Sequence, residues 1–343
     1  MGSSKVAKNR NWVVLKDILL TSDSFVFSTH VEPDADGLGS ELGLARFLKS
    51  LGKQVHILNP SPQRTNLEFL VSDGEVQVYS SKRHKQLLSE SDVFIAFDIG
   101  NFKRLKTLCD DLESIDIQKI SIDHHPGDKS QFDYVFDTAT ASSTGVLIYD
   151  LISIMDDQKL DDYEIAHPIY AALMSDTGNF RYNNTDPETF RAAARLVEAG
   201  VKPYDLFVHI YEDLNTPGRL EVLSYLLKEL KYDCDGRLAW STIDFEKVSR
   251  LGATPDDLHS LSDFIRSIKG VEIGVSITKM PGKATDISMR SKGSIAVNTV
   301  ANKFGGGGHA FAAGCHIEAD LADAANTVVE ECRKTIEEWD ASA

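Results

Sequence analysis

Cysteine is scarce in this chain. Four occur in 343 residues, at Cys109, Cys234, Cys315 and Cys332, with no CxxC pair and no zinc-finger spacing. That excludes a disulfide scaffold and leaves reduced thiols in a cytoplasmic protein as the expectation. Long apolar runs are missing too. No stretch approaches the roughly 18 apolar residues that a membrane span needs, so no membrane association is expected. Met1 to Asn11 is polar and lacks a secretory core and cleavage site. The chain opens Met-Gly, but Val6 stands where myristoylation needs Ser or Thr. Basic charge is in deficit: 36 Lys and Arg face 52 Asp and Glu, a net charge of −16. A broad basic surface for duplex nucleic acid is therefore not expected. A small anionic substrate remains compatible, because a local site can oppose the global charge and bound divalent ions cancel part of it.

What is there is an ordinary globular mixture, 42% hydrophobic and 26% charged. That composition rules out a largely disordered or fibrous chain. At about 150 residues per domain, the length suggests two domains. In the first half, short apolar runs end abruptly in polar groups. Phe25-Val26-Phe27-Ser28 leads to His30 and then Asp34-Ala35-Asp36; Val93 to Phe97 ends at Asp98; Ile120-Ser121-Ile122 ends at Asp123-His124-His125. Helical spacing of Leu44, Phe47, Leu48 and Leu51 lies between the first two runs. Strand, polar loop, helix, strand is the βαβ order of a parallel sheet, and such sheets place ligands at the carboxyl ends of their strands. Further helices are expected from about 142 to 155 and 165 to 173, the second leading into Asp176. Asp186-Pro187 opens another. Interrupted helices fill about 200 to 232. The second half has strand-like runs near 238–243, 271–277, 284–289 and 311–316. A helix is expected over 294–304, followed by a Gly-rich loop at 305–308, and a terminal helix over 321–339.

Imidazole and carboxylate groups at strand ends suit hard or borderline divalent ions. Taken alone, Asp34 and Asp36 also read as turn formers around Pro33 and Gly37. A turn does not explain why Asp98, Asp123, His124, His125 and Asp176 fall at other element ends. The Gly305–Gly308 run lets backbone amides approach an anion. It follows the C-terminus of its helix, the wrong end for dipole attraction, so cations such as Arg290 are needed. A flexible hinge is the competing reading of the glycines.

Four ordered segments carry a family likeness: Thr29-His30-Val31-Glu32-Pro33-Asp34-Ala35-Asp36-Gly37, Phe97-Asp98, Asp123-His124-His125-Pro126 and Ser175-Asp176-Thr177-Gly178. Arg290, Asn298 and Phe304-Gly305-Gly306-Gly307-Gly308-His309 carry it into the second half. On these motifs the chain resembles the DHH phosphoesterases with a DHHA1 domain, in their short two-domain oligoribonuclease and 3'-phosphoadenosine 5'-phosphate phosphatase subgroup. The resemblance implies an α/β fold: a parallel-sheet DHH domain with helices on both faces (1–200), a helical connector (201–230), and a smaller α/β DHHA1 domain with a mixed sheet (231–343).

It also implies two divalent ions, Mn²⁺ first, with Mg²⁺ or Co²⁺ as alternatives. His30 and Asp34 would hold one, Asp36, His124 and Asp176 the other, and Asp98 would bridge them. Asp123 would orient a metal-ligating histidine, and His125 would act near the phosphate or leaving group, with a purely structural imidazole as the competing reading of His125. Arg290, Gly306, Gly307, Gly308, His309 and Asn298 would bind substrate. Arg104 and Arg181 are further candidates, though a solvated helix Arg and a packing Arg are equally good readings of them. The implied reaction is hydrolysis of very short single-stranded oligoribonucleotides to nucleoside 5'-monophosphates, with 3'-phosphatase activity on 3'-phosphoadenosine 5'-phosphate. The alternatives are a cyclic-di-AMP or pApA phosphodiesterase and an inactive nucleotide-binding protein. A homodimer is the assembly to test.

Overall fold

The computed structural model describes residues 12–342, and the readings made for Met1 to Asn11 lie outside the described residues. The chain divides into two compact units, residues 1–212 and 213–343.

The first unit is built on six strands: β1 (Ser24–Thr29), β2 (Gln54–Asn59), β3 (Val76–Val78), β4 (Val93–Phe97), β5 (Gln118–Asp123) and β6 (Tyr134–Asp137). Their order is β3-β2-β1-β4-β5-β6, and every neighbouring pair is parallel. The winding direction changes between β1 and β4. At such a switch point the loops leaving the two strands diverge and open a crevice at their carboxyl ends.

The central strands are buried on both faces, which explains their continuous apolar runs. Alternate residues serve different cores. Phe25, Phe27, Ile95 and Phe97 face one cluster, shared with α1 (Trp12–Thr21), α2 (Ala35–Ser50), α5 (Thr144–Asp156) and α6 (Tyr163–Asp176). Val26, Phe94 and Ala96 face the other, shared with α3 (Ser81–Glu90) and α4 (Thr107–Ser114). Helices thus cover both faces. α7 (Pro187–Glu198) starts at Asp186, whose carboxylate accepts from the Thr189 amide at 2.8 Å, with Pro187 in the first turn. α8 (Pro203–Phe207) and a π-turn over Val208–Glu212 close the unit.

One histidine of this unit makes its stability sensitive to acid. His167 on α6 stacks on Tyr163, with ring centroids 5.0 Å apart, and meets Phe69 edge-on. Burial, with the charges of Arg46 and His209 nearby, lowers its pKa to about 4. The unfolded chain, with an ordinary value near 6.5, takes up a proton that the folded chain resists. This stabilisation is therefore whole above about pH 6.5 and is lost as the pH falls toward 4. Thermal melts at pH 7 and pH 4.5 should differ less for His167→Phe than for wild type. Identical differences would acquit His167.

The second unit has a mixed six-stranded sheet. It is built from β7 (Lys231–Asp233), β8 (Leu238–Asp244), β9 (Ile273–Lys279), β10 (Thr285–Ser291), β11 (Gly307–His309) and β12 (Ala312–Ile317), in the order β11-β12-β10-β9-β8-β7. Only β8 and β9 pair in parallel. α9 (Pro217–Lys228), α10 (Phe245–Ser249) and α11 (Leu261–Ser267) cover one face; α12 (Asn298–Lys303) and α13 (Leu321–Ser342) cover the other.

Two expectations are corrected here. The helix expected over 294–304 forms only over Asn298–Lys303. Ile295 and Val297 enter the core instead, and the Val297 amide donates to the Ala310 carbonyl at 2.7 Å. The Gly-rich run is not all loop, because Gly307 and Gly308 open an edge strand. A Cβ on Gly306 or Gly308 would collide with the backbone of β12, so the glycines let one strand press onto the next.

Candidate metal centre

The first motif turns on a single cap. Asp34 is the N-cap of α2, and its Oδ1 accepts from the amides of Asp36 (3.0 Å) and Gly37 (3.1 Å). That leaves Oδ2, which sits 3.5 Å from His30 Nε2. The tautomer of His30 follows from its other nitrogen. Nδ1 lies 2.7 Å from the Val31 carbonyl, which can only accept, so Nδ1 carries the proton and Nε2 presents a lone pair. Asp98 Oδ2 lies 3.7 Å from the same Nε2. Asp98 leaves β4 in the left-handed conformation (φ 54°), which a short polar side chain tolerates better than most.

A second triad shares this carboxylate. His124 Nε2 lies 3.1 Å from Asp176 Oδ2, 3.4 Å from Asp98 Oδ1 and 3.5 Å from Asp36 Oδ2. Its Nδ1 faces the Ala141 carbonyl at 3.3 Å, so Nδ1 is the donor there and Nε2 is the nitrogen turned toward the carboxylates. His30, Asp34 and Asp98 form one group whose donor atoms lie within 4.8 Å of one another; Asp36, His124 and Asp176 form another. The groups come from the ends of β1, β4, β5 and α6 and from the first turn of α2. Two imidazoles and four carboxylates are the donor set of a pair of hard or borderline divalent cations.

The electrostatics are those of a site that demands positive charge. Burial, reinforced by Asp98 and Asp176, pushes the Asp36 carboxyl well above its ordinary value. Burial would lower His124, but Asp176 and Asp98 override it and hold the imidazole well above the ordinary range. Burial would likewise raise Asp34, yet His30 beside it and the Gly37 amide bring it to about 2.

His125 belongs to an adjoining layer. Its Nδ1 lies 2.9 Å from Asp123 Oδ1 and 3.0 Å from Asp98 Oδ1. Burial opposes its charge, but Asp98 and Asp123 raise its pKa to about 10. Asp123 holds His125, not a residue of either triad, and also accepts from the Gly100 amide at 2.7 Å. The loops at 100 and 127 meet backbone to backbone, where a Cβ on Gly127 would collide with the Gly100 carbonyl oxygen.

Two residues here carry no mark in the sequence. Lys129 is buried, 7% exposed, and its Nζ contacts Asp123 Oδ2 (3.2 Å), Asp137 Oδ2 (3.1 Å) and the His125 carbonyl (2.8 Å). Flanked by Asp128 and Ser130, it reads as an ordinary loop lysine. Thr144, at the start of α5, contacts both Asp36 and Asp98. The helix start was legible; the contacts were not.

The remaining candidates are spread more widely. The Arg104 carbonyl accepts from the Val31 amide at 3.0 Å, beside His30. Arg181 is exposed, and its Nε donates to the Gly178 carbonyl at 2.8 Å. In the second unit, Arg290 and His309 both lie opposite Ala312, so their backbones share one row of the sheet. Arg290 Nε meets Asp263 Oδ2 at 3.2 Å. Asn298 opens α12, and Gly306 precedes β11. The expectation for the His309 side chain lies outside the described residues. No helix among the described residues is long and apolar enough to cross a membrane.

Comparison with known proteins agrees with this geometry. The model of the DHH family N-terminal domain matches residues 24–175, and that of the DHHA1 domain matches 239–338. The chain is 30% identical over 312 residues to the bifunctional oligoribonuclease and PAP phosphatase NrnA of Thermus thermophilus, covering 90% of this chain and 89% of that one. The Bacillus subtilis protein of the same name is 28% identical over 310 residues, covering 88% and 93%. Among solved structures, an exopolyphosphatase-related protein from Bacteroides fragilis aligns over 98% of both chains, with a TM-score of 0.88 and 26% identity. With both domains matched, relatives aligned over most of their length and His/Asp triads at the switch point, the chain belongs to the DHH/DHHA1 superfamily of metal-dependent phosphoesterases, in the subgroup of these NrnA relatives.

Proposed function

We propose that the protein hydrolyses the phosphodiester bonds of very short single-stranded oligoribonucleotides, releasing nucleoside 5'-monophosphates, and removes the 3'-phosphate of 3'-phosphoadenosine 5'-phosphate. The observation that carries the reading is the meeting of two His/Asp triads at one carboxylate, Asp98. The substrates are those in the names of the two NrnA relatives. His30 and Asp34 would hold one ion, Asp36, His124 and Asp176 the other, with Asp98 between them. Two divalent ions, Mn²⁺ before Mg²⁺ or Co²⁺, would supply an activated water and neutralise charge on the phosphoryl oxygens. His30 and His124 present Nε2 because backbone carbonyls hold their Nδ1 protons. His125, with Nδ1 committed to Asp98 and Asp123, would deliver a proton from Nε2 to the leaving oxygen.

Arg290 would grip a substrate phosphate, with Gly306, Gly307, Gly308, His309 and Asn298 around it and Arg104 and Arg181 as further phosphate contacts. The net charge of −16 favours a short substrate over a long tracked strand.

The test is a panel of di- to pentaribonucleotides, 3'-phosphoadenosine 5'-phosphate, cyclic-di-AMP and pApA, assayed with Mn²⁺. Fastest turnover of the short RNAs supports the reading. Turnover confined to cyclic-di-AMP or pApA overturns it in favour of a cyclic-dinucleotide phosphodiesterase. Arg290→Ala should raise KM about tenfold or more, the scale of one charge-assisted contact, with a smaller loss in kcat. Metal content should not change. Wild-type kinetics in that variant would remove Arg290 from the site.

A further inference from the structure

The N-terminal turn of α5 touches two of the six residues in the two triads, and the segment leading into it touches a third; the three come from different parts of the chain. The Thr144 amide donates to Asp36 Oδ2 at 2.7 Å, and the Gly145 amide donates to Asp36 Oδ1 at 2.8 Å. The Thr144 hydroxyl donates to Asp98 Oδ1 at 3.2 Å. Just before the turn, the Ala141 carbonyl accepts from His124 Nδ1. Ser143 caps the helix by accepting from the Val146 amide at 3.1 Å, which fixes the turn itself. Ser143, Thr144 and Asp36 are all fully buried.

From this geometry we infer that Thr144 is a positioning residue for the shared carboxylate, setting which lone pairs of Asp98 face each triad. The inference rests on the dinuclear reading of the site. Asp98 Oδ1 is the oxygen nearest His124, and Oδ2 the one nearest His30. A carboxylate that serves both groups must hold its plane, because rotation about its last bond would turn the two oxygens away from the two triads. Two groups outside the triads hold Oδ1: His125 Nδ1 at 3.0 Å, and the Thr144 hydroxyl, which ties that oxygen to the turn that anchors Asp36. The methyl group of Thr144 cannot do this, and neither can its amide, which is already committed to Asp36. The turn therefore couples Asp36 to Asp98: the backbone of one residue anchors the first, and its side chain anchors the second.

The test uses the full chain freed of metal and titrated with Mn²⁺. Binding is followed by calorimetry and by electron paramagnetic resonance, which distinguishes an exchange-coupled Mn²⁺ pair from isolated ions. Wild type should bind two ions and give the coupled signal. Thr144→Val keeps shape and amide but loses the hydroxyl. It should bind the second ion about 10- to 100-fold more weakly, the usual scale for losing a partner of a metal ligand. The coupled signal should shrink at two equivalents of Mn²⁺. On a diribonucleotide, kcat should fall by a similar factor while KM stays within about twofold. Thr144→Ser keeps the hydroxyl and should restore binding, signal and turnover. If Val does not fit the buried site, Thr144→Ala removes the same hydroxyl and carries the same expectation. Wild-type affinity and signal in the hydroxyl-free variant would overturn the proposal, as would a Ser variant impaired as deeply as Val. Wild type binding fewer than two ions would instead sink the dinuclear reading beneath it.

Discussion

Asp98→Asn is expected to abolish most turnover on every substrate while leaving a folded protein. Asn has the shape of Asp and can still accept from the Thr144 hydroxyl. It cannot supply the negative charge. Asp98 is 1% exposed, lies within 4 Å of three imidazole nitrogens and is held well below the usual carboxylate range by His125 and His124 despite its burial. Replacing one carboxylate oxygen with an NH2 group turns a donor toward groups that need an acceptor. Removing a mere partner of a metal ligand costs about 10- to 100-fold. Loss of the ligand shared by both triads should cost more, roughly 10³-fold in kcat, and should also weaken binding of the second Mn²⁺. The loss should be uniform across the substrate panel, because the residue serves the chemistry and not recognition. That uniformity separates it from Arg290, whose loss should act mainly on KM. Circular dichroism supplies the control for folding. A folded Asp98→Asn protein with near-wild-type turnover at saturating Mn²⁺ would show that Asp98 is not the shared ligand, and Asp123 would be the next carboxylate to test.

The centre was readable in the sequence because a parallel sheet writes itself plainly. Strands buried on both faces are built of apolar and small hydroxyl side chains near their carboxyl ends, so His30, Asp98 and Asp123 stand out where Phe27-Ser28-Thr29, Ala96-Phe97 and Ser121-Ile122 stop. The strand order was not readable, and with it the reason these ends converge at the step between β1 and β4. Long-range contacts also left no trace. Thr144 reaches Asp98 across 46 residues and Asp36 across 108. In the sequence Thr144 is one more hydroxyl residue in the first turn of a helix. The polar neighbours of Lys129 give no sign of its burial, which comes from Asp123 and Asp137 closing around it. β11 was hidden for another reason. Glycine has no strand preference, so a strand that exists because glycine allows close backbone approach reads as loop. The 294–297 segment failed in the opposite sense: its apolar spacing fits a helix, but its backbone is tied to Ala310.

His125→Ala is the second large loss expected, and its signature should depend on the leaving group. His125 Nδ1 sits between Asp123 and Asp98, so its ring orientation is fixed and a proton passed to substrate must come from Nε2. Against burial, Asp98 and Asp123 beside the ring favour its charged form, and that form carries the proton a donor needs. Lys129 braces this arrangement from behind, through Asp123 and the His125 carbonyl. A ribonucleoside leaving group departs as a strongly basic alkoxide unless it is protonated as the bond breaks. General-acid help of this kind is worth about 10²- to 10⁴-fold. A p-nitrophenyl ester of a nucleotide needs no such help, because its leaving anion is stable in water. Alanine at position 125 should therefore cost about 10²-fold or more on a diribonucleotide and far less on the p-nitrophenyl ester. Lys129→Met should follow the same pattern more weakly, since the Lys129 ammonium is committed to Asp123, Asp137 and the His125 carbonyl. Equal losses on both esters would mean that His125 acts through the shared carboxylate Asp98 and not on the leaving group. In that case the donor would have to be sought elsewhere, and Arg104, whose backbone adjoins Val31 beside His30, would be a cationic residue to examine.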